Sequence, residues 1–429
     1  MTRPWTAAPA LVVERDLLPP QPRSTRIKVL HVITRFWAGA GGNTLLSAVG
    51  MDPERYDVWV AGSPGGPLWE RADREGVRTA QLGRFREVLS PVDDAYVLQQ
   101  LVRLIQRERF TIVHTHSAKG GFLGRLAAQM CGTPVVLHTF HGFSFHDFMG
   151  APRRRAYLAL ERMVAPMAHR FIAVAPQVAR EAVMMKLARP GMVSVVPSAV
   201  ELESIPTRQS LSVRQELAVP KDATIVGTVG RIDLQKAPLD FVRMAAIVAR
   251  VRPDIRFVMV GDGPLLEDVK DEARRLGVEI LLTGFRPDAP AVAATFDVYV
   301  NSSLYEGLGR GLTEALASAR PVVATAVNGV PDLVEPGSTG LLASPADPEA
   351  LAAGVLWLLD HPDEARRMGE QGSARVRSLF DPASMCAAID EIYSGLLGLQ
   401  PSHPRRSDLD LSDDRFLDIA AGASVGQSS

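Results

Sequence analysis

Cysteine is scarce in this 429-residue chain, which carries only Cys131 and Cys386. Two thiols cannot build a disulfide framework or a four-thiolate zinc site, and they read as buried, reduced side chains. Nowhere does an apolar run approach the roughly 20 residues that a membrane-spanning helix needs. The opening MTRPWTAAPALVVERD has only a short apolar stretch before Glu14, so a cleaved secretory signal is not expected and the cytoplasm is the default compartment. Compositional bias is missing too. At 46% hydrophobic and 22% charged residues, the chain is neither disordered nor fibrous. No charge sign dominates the whole, yet the halves differ. Up to Ile205, 25 Lys and Arg stand against 17 Asp and Glu; beyond it the count is 22 against 31. A basic half attracts anionic lipid, nucleic acid or phosphorylated substrates, and charge alone does not choose among them.

What is present is a double set of buried strands. The length suggests two or three domains. Residues 1–25 and 399–429 lack a sustained period and read as tails. Between them KVLHVI, DVWVAG, IVHTH, PVVLHTF, RFIAVA and VSVVP alternate with amphipathic stretches, and TIVGTVG, RFVMVG, EILLTG, VYVNS and PVVAT repeat the pattern. Such alternation predicts an α/β protein with two Rossmann-like, doubly wound parallel sheets. The change falls between Glu201 and Asp222, where a polar segment has room for a linker and a starting helix. Facing sheets leave a cleft at the C-terminal ends of their strands, where ligands bind in this architecture.

Residues 35–46, RFWAGAGGNTLL, follow the first strand. Gly39-x-Gly41-x-x-Thr44 nearly spells the G-x-G-x-x-G of dinucleotide-binding enzymes. Two features argue against that cofactor. Thr44 is branched where a small residue allows close helix packing, and the second strand ends in Ala61-Gly62-Ser63-Pro64, without an acid for a ribose hydroxyl. A glycine turn with no ligand remains open, beside the preferred reading of a backbone loop close to a phosphate or sugar.

The strongest signal lies in Ser302–Ala317, SSLYEGLGRGLTEALA, after the strand VYVNS. Glu306 and Glu314 are eight positions apart, so a loop carboxylate followed by a helical one can reach two parts of one ligand. Backbone N–H groups of Gly307, Leu308, Gly309 and Arg310 suit phosphate or sugar oxygens at a helix start. Solvated glutamates on an ordinary helix would give the same spacing. Upstream stand Gly230-Arg231-Ile232-Asp233-Leu234-Gln235-Lys236, Gly261-Asp262-Gly263-Pro264-Leu265 and Thr283-Gly284-Phe285-Arg286, and in the first half Thr139-Phe140-His141-Gly142.

Together these motifs resemble the retaining nucleotide-sugar glycosyltransferases of family 4, over most of residues 27–398. The resemblance implies the GT-B fold, with an acceptor-side domain over 26–205 joined by a helix at about 380–398, and a donor domain over 206–379. Glu306 and Glu314 match the family's E-x7-E pair, the first on the donor sugar and the second on its ribose. Arg231 and Lys236 match the cations on the donor diphosphate, where permanent charge neutralises a leaving group. His141 matches the histidine beside the transferred sugar. Gly41 and Gly42 match the glycine loop over the diphosphate, and Phe285 and Arg286 the loop near the base. His116, Ser117 and Lys119 read as acceptor-side contacts. His114 and His116 hint at zinc, but no third ligand follows at a convincing spacing.

Departures accompany the matches. Pro197-Ser198-Ala199-Val200-Glu201 stands where P-N-G-V-D is common, Ala237 replaces a glycine, and Arg310 replaces an apolar residue, so it can meet a phosphate or an acidic sugar. The resemblance implies transfer to a glycan, lipid-linked or small-molecule acceptor in cell-envelope or exopolysaccharide synthesis, without a metal, a cofactor or a nucleic-acid partner. Asp408-x-Asp410 imitates the metal motif of another glycosyltransferase fold but lies in the polar tail. Residues 153–170 place Arg153, Arg154 and Arg155 before Tyr157, Leu160, Val164 and Met167, with Pro166 breaking the helix. That segment is either core-packed or a contact with the inner face of the plasma membrane. Two alternatives stay open: a GT-B sugar-nucleotide epimerase and a non-catalytic nucleotide-sugar binding module.

Overall fold

The computed structural model describes residues 26–37, 39–143, 145–146 and 148–402. The expected tail over 1–25, residues 403–429 and the pair Asp408 and Asp410 lie outside the described residues.

Two all-parallel sheets organise the chain. The first contains β1 (Ile27–Val32), β2 (Tyr56–Gly62), β3 (Arg78–Gln81), β4 (Ile112–His116), β5 (Val135–Phe140), β6 (Arg170–Ala173) and β7 (Val193–Val195), in the order β3-β2-β1-β4-β5-β6-β7. The second contains β8 (Ile225–Val229), β9 (Arg256–Val260), β10 (Ile280–Leu282), β11 (Val298–Asn301), β12 (Val322–Thr325) and β13 (Leu341–Ala343), in the order β10-β9-β8-β11-β12-β13. Strands covered by helices on both faces need apolar residues at every position, which is why these runs read as continuous and not alternating. In each sheet the chain leaves the middle strand for one edge and then crosses to the other side. The switch points fall between β1 and β4 and between β8 and β11, where crevices open at the strand ends.

On one face of the first sheet Val29, Ile112, Val135 and Leu137 pack with helix Ala40–Val49. Met385, Cys386, Ile389 and Tyr393 of the last helix, Pro382–Leu397, join that core. A side chain at Gly50 would overlap Cys386 Sγ, so the contact is close. Tyr56 Oη donates to Asp390 Oδ1 at 2.5 Å. The chain therefore crosses between the sheets twice, and the crossings are tied where Val200 N donates to Phe380 O at 3.1 Å. The first residues of the expected tail are held. Leu399 N donates to Ser394 O, and Ser402 N donates to Asp390 Oδ2 at 2.6 Å.

The other face packs Leu30, Val32, Val113 and Val136 under helices Pro91–Glu108 and Ala118–Met130. Arg125, fully buried, donates to Glu161 Oε2 at 2.6 Å and to Gly121 O at 2.8 Å. That pair joins helix Ala118–Met130 to helix Ala151–Val164, whose basic start holds Arg153 exposed over the Tyr157 ring. Val164 is buried, and the helix gives way to a short turn at Ala165–Met167 around Pro166. In the polar connection, helix Leu211–Glu216 is capped by the Ser210 hydroxyl, which accepts from Val213 N.

Candidate functional site

A cleft of about 2570 Å³ runs between the two switch points. Single small-molecule sites occupy roughly 300–1,000 Å³, so this space has room for two substrates. Its wall on the second half begins at Gly230, the residue after β8. The turn Leu234–Lys236 is capped by Asp233 and followed by Ala237 at φ 44°, which sends Lys236 back across β11. Lys236 Nζ forms an ion pair with the buried Glu306 carboxylate. The Ser303 hydroxyl lies 2.8 Å from Glu306 Oε1, and Gln235 Nε2 donates to Tyr305 O at 3.1 Å. Arg231 is exposed at the mouth, 3.0 Å from Asp233 and bonded to Gln235. Under this loop, a side chain at Gly261 would overlap Gly230 O and one at Gly263 would overlap Ile232 O. The G-D-G-P-L turn thus supports the loop that carries both cations.

The second glutamate is differently engaged. Glu314, on helix Arg310–Ala317, accepts from Arg310 Nε at 2.7 Å. The Arg310 guanidinium reaches the first half, where a Cβ at Gly42 would overlap its Nη1. Gly307 is equally crowded, because a side chain there would overlap His141 O. These glycines let two backbones and one guanidinium meet across the cleft. Gly41 lines the cleft, with Phe36 and Leu68 against the position a side chain would take. Gly309 caps the helix at φ 87°, and Leu308 is packed in the core. Phe285 is 62% exposed on the cleft wall. Beside it, in the loop expected near the base, the Arg286 guanidinium is held by Asp288 at 2.6 Å and Glu216 at 2.9 Å.

The first half contributes histidines. Parallel register sets His31 of β1 opposite His114 of β4, and alternation puts His116 on the same face. No third ligand follows His114 and His116 along the chain, yet register supplies His31 beside them, with one ligand atom from each lying within 4.8 Å of the others. Of their six ring nitrogens five are already engaged, all but His31 Nε2. His114 meets Tyr393 Oη and Thr139 Oγ1, both at 2.7 Å, and His31 Nδ1 lies 2.9 Å from His116 Nε2. His116 is buried and does not line the cleft; its Nδ1 lies 3.0 Å from Nε2 of His141, which does. Burial lowers the His141 imidazole to about 4 and that of His31 to about 3, and it holds His114 and His116 well below their ordinary range. All four are neutral at pH 7. Ser117 and Lys119 line the cleft, but the ammonium of Lys119 is held by Asp94 and Val88 O.

Several residues of the site escaped the sequence reading. Asn328 Oδ1 accepts from Glu306 N at 2.9 Å, while its amide donates to Glu181 of the first half at 3.0 Å. Tyr305 stacks on His146 with ring centroids 3.8 Å apart. Arg71 donates to Glu201 at 2.8 Å and holds that carboxylate below its usual range. All are pairs between residues far apart in the chain, on loops and on helices such as Leu68–Arg74 and Pro176–Met184. Only His31 left a trace, as a polar residue in an otherwise apolar strand end.

Two family descriptions match the chain: Glycosyl transferase 4-like domain over residues 38–199 and Glycosyl transferases group 1 over 210–375. The chain is 30% identical over 344 residues to the UDP-Gal:alpha-D-GlcNAc-diphosphoundecaprenol alpha-1,3-galactosyltransferase of Escherichia coli, covering 78% of this chain and 89% of that one. It is 32% identical to a D-inositol 3-phosphate glycosyltransferase of Streptomyces scabiei, covering 67% and 68%. Among solved structures, Anabaena HepE in complex with UDP and glucose aligns with a TM-score of 0.73 at 19% identity, covering 86% of this chain and all of the other.

Proposed function

The chain belongs to the group 1 glycosyltransferases of family 4, GT-B enzymes acting on nucleotide-sugar donors, and from that premise we propose that it moves a hexosyl unit, with retention, from a UDP-sugar to a lipid-diphosphate-linked sugar. The observation that carries this reading is the group formed by Arg231, Lys236 and Glu306 at the second switch point. A departing diphosphate develops negative charge while the sugar becomes oxocarbenium-like, and a site needs opposite charges for the two ends. Arg231 and Lys236 neutralise the leaving group. Glu306, freed from part of its bond to Lys236 as the diphosphate takes the ammonium, faces the sugar. Two fixed cations make a metal unnecessary in this scheme. The acceptor's own proton passes to the diphosphate on the side it leaves from.

The acceptor class rests on the name of the Escherichia coli relative and on the cleft mouth. Val88 at 75% exposure, Leu89 at 53% and Phe148 at 47% line that mouth together with Arg153. Apolar side chains beside a guanidinium suit a prenyl chain and an anionic headgroup at a membrane surface. Among the described residues no helix is long and apolar enough to cross a membrane, so contact would be peripheral, at the inner face, in envelope or exopolysaccharide synthesis.

The test is transfer of radiolabelled hexose from UDP-hexose to a synthetic prenyl-diphosphate GlcNAc, run with and without a chelator. Wild-type protein should transfer in both. A Glu306→Gln, Lys236→Ala double variant that keeps its fold should lose at least about 10²-fold in rate, the effect of removing one preorganised charge partner. Change of the donor without acceptor would instead identify an epimerase, and full activity in the double variant would refute the assignment. Replacing Arg153 to Arg155 with Ala should lower co-sedimentation with anionic liposomes; unchanged binding removes the membrane contact.

A further inference from the structure

Three imidazoles form a continuous line from the interior of the first sheet to the cleft: His31 Nδ1 to His116 Nε2 at 2.9 Å, then His116 Nδ1 to His141 Nε2 at 3.0 Å. Each neutral ring has one N–H, and His116 cannot spend its single proton on both neighbours. Two proton registers satisfy both bonds. In one, every ring donates toward the cleft and carries its proton on Nδ1. In the other, every ring donates inward and carries it on Nε2. The buried end separates them. His31 Nε2 is buried with no hydrogen-bond partner among the described residues; the inward register leaves an orphaned N–H there, the outward register a bare ring nitrogen. Orphaned buried N–H groups are the rarer of the two kinds of unpaired atom.

We propose that His31 and His116 are positioning residues that fix His141 as its Nδ1–H tautomer, so that the cleft meets a hydrogen-bond donor and not a base at that histidine. His141 lines the cleft, and Nδ1 has no partner among the described residues, so its proton is available to a substrate oxygen, either a sugar hydroxyl or a phosphate. Depression of all three imidazoles by burial keeps the line neutral at working pH. His114 stands outside the line, since Tyr393 and Thr139 take both its nitrogens. The use of that donor by substrate rests on the transferase reading. The tautomer itself does not, because it is read on the protein alone.

Selective 15N-histidine labelling and two-bond 15N–1H correlation spectra distinguish the tautomers of each ring. His141, assigned by its loss in His141→Gln, should show a protonated Nδ1 and a bare Nε2, with His116 and His31 in the same state. A protonated Nε2 on His141 overturns the proposal. The His31→Asp variant places an acceptor near the position of Nδ1, should force the His116 proton onto Nε2, and should thereby flip His141 to Nε2–H, two rings away. If that variant retains its thermal transition and His141 stays unflipped, the relay is refuted. Should His31→Asp not fold, His116→Leu serves instead: His141 must lose its single tautomer for an averaged one, and an unchanged spectrum refutes. One equivalent of bound zinc in purified wild-type protein, which would need these nitrogens as ligands, also overturns it.

Discussion

Lowering the pH from 7 to 5 should unfold the seven-stranded half selectively. Five imidazoles, those of His31, His114, His116, His138 and His141, are held below their ordinary range, in each case chiefly by burial. Unfolding restores each to about 6.5. Between the depressed folded values, about 3 for His31 and about 4 for His141, and 6.5, the unfolded chain holds protons that the native chain lacks. Stability therefore rises with pH through this window and falls as acid is added. For one imidazole that stays neutral, the loss between pH 7 and 5 is about 1.9 kcal/mol. His31 and His141 together account for about 4 kcal/mol, a large share of a domain's stability, and His114, His116 and His138 act in the same direction. The depressed carboxylates Glu108 and Glu201 lose their contribution only below this window, and Asp240 and Asp332, raised by burial, belong to the other half. Urea unfolding at pH 7, 6 and 5 is followed by tryptophan fluorescence, with Trp59 and Trp69 buried in the first half and the exposed Trp357 in the second. The first-half midpoint should drop steeply, and His138→Leu should reduce the pH slope by about one proton. A first-half free energy that is flat from pH 7 to 5 would refute the reasoning, as would a slope that His138→Leu leaves alone.

Breaking the buried pair by Glu161→Gln leaves the fully buried Arg125 without its anion and should cost about 3–5 kcal/mol in chemical denaturation; a loss under about 1 kcal/mol would mean that the guanidinium finds another partner. Arg231→Ala should leave stability within about 0.5 kcal/mol, because the side chain is mostly exposed, while transfer falls about 10²–10³-fold; steady-state rates and melting curves separate the two. Gly42→Ala should displace the Arg310 guanidinium from the glycine loop, and a double-mutant cycle with Arg310→Ala should give a coupling above about 0.5 kcal/mol in donor affinity.

Much of the fold was legible because strands buried on both faces announce themselves as apolar runs, as KVLHVI and PVVLHTF do. Arg78–Gln81 and Leu341–Ala343 were not read as strands. They are short, half-exposed edge elements that pair along one side only, so nothing in RTAQ or LLA demands a sheet. The donor motifs were visible for a different reason: Arg231, Lys236, Glu306 and Glu314 sit at fixed offsets within local turns, and such offsets survive in a linear reading. Their mutual arrangement did not. That Lys236 pairs with Glu306 depends on how β8 and β11 lie side by side, and that the Arg310 guanidinium, bonded to Glu314 one helical turn on, also meets Gly42 depends on how the two halves face each other.

The glycines of RFWAGAGGNTLL carry that distinction furthest. A local reading asks what phosphate could approach a bare backbone there, and Gly39 at φ 70° before helix Ala40–Val49 answers only for the turn. Gly42 needs no unusual φ; its bareness makes room for the Arg310 guanidinium from the other half, which lies where its side chain would be. His31 poses the same problem in reverse. As a single residue it is a polar intruder in a buried strand, costly unless bonded. Only the register of β1 on β4 gives it His116, and through His116 the cleft. A glycine and a histidine that look like local features are thus both explained by partners from distant strands. For that reason substitutions at Gly42 and His31 should be read at Arg310 and His141, where their effects are carried, and not only at the positions changed.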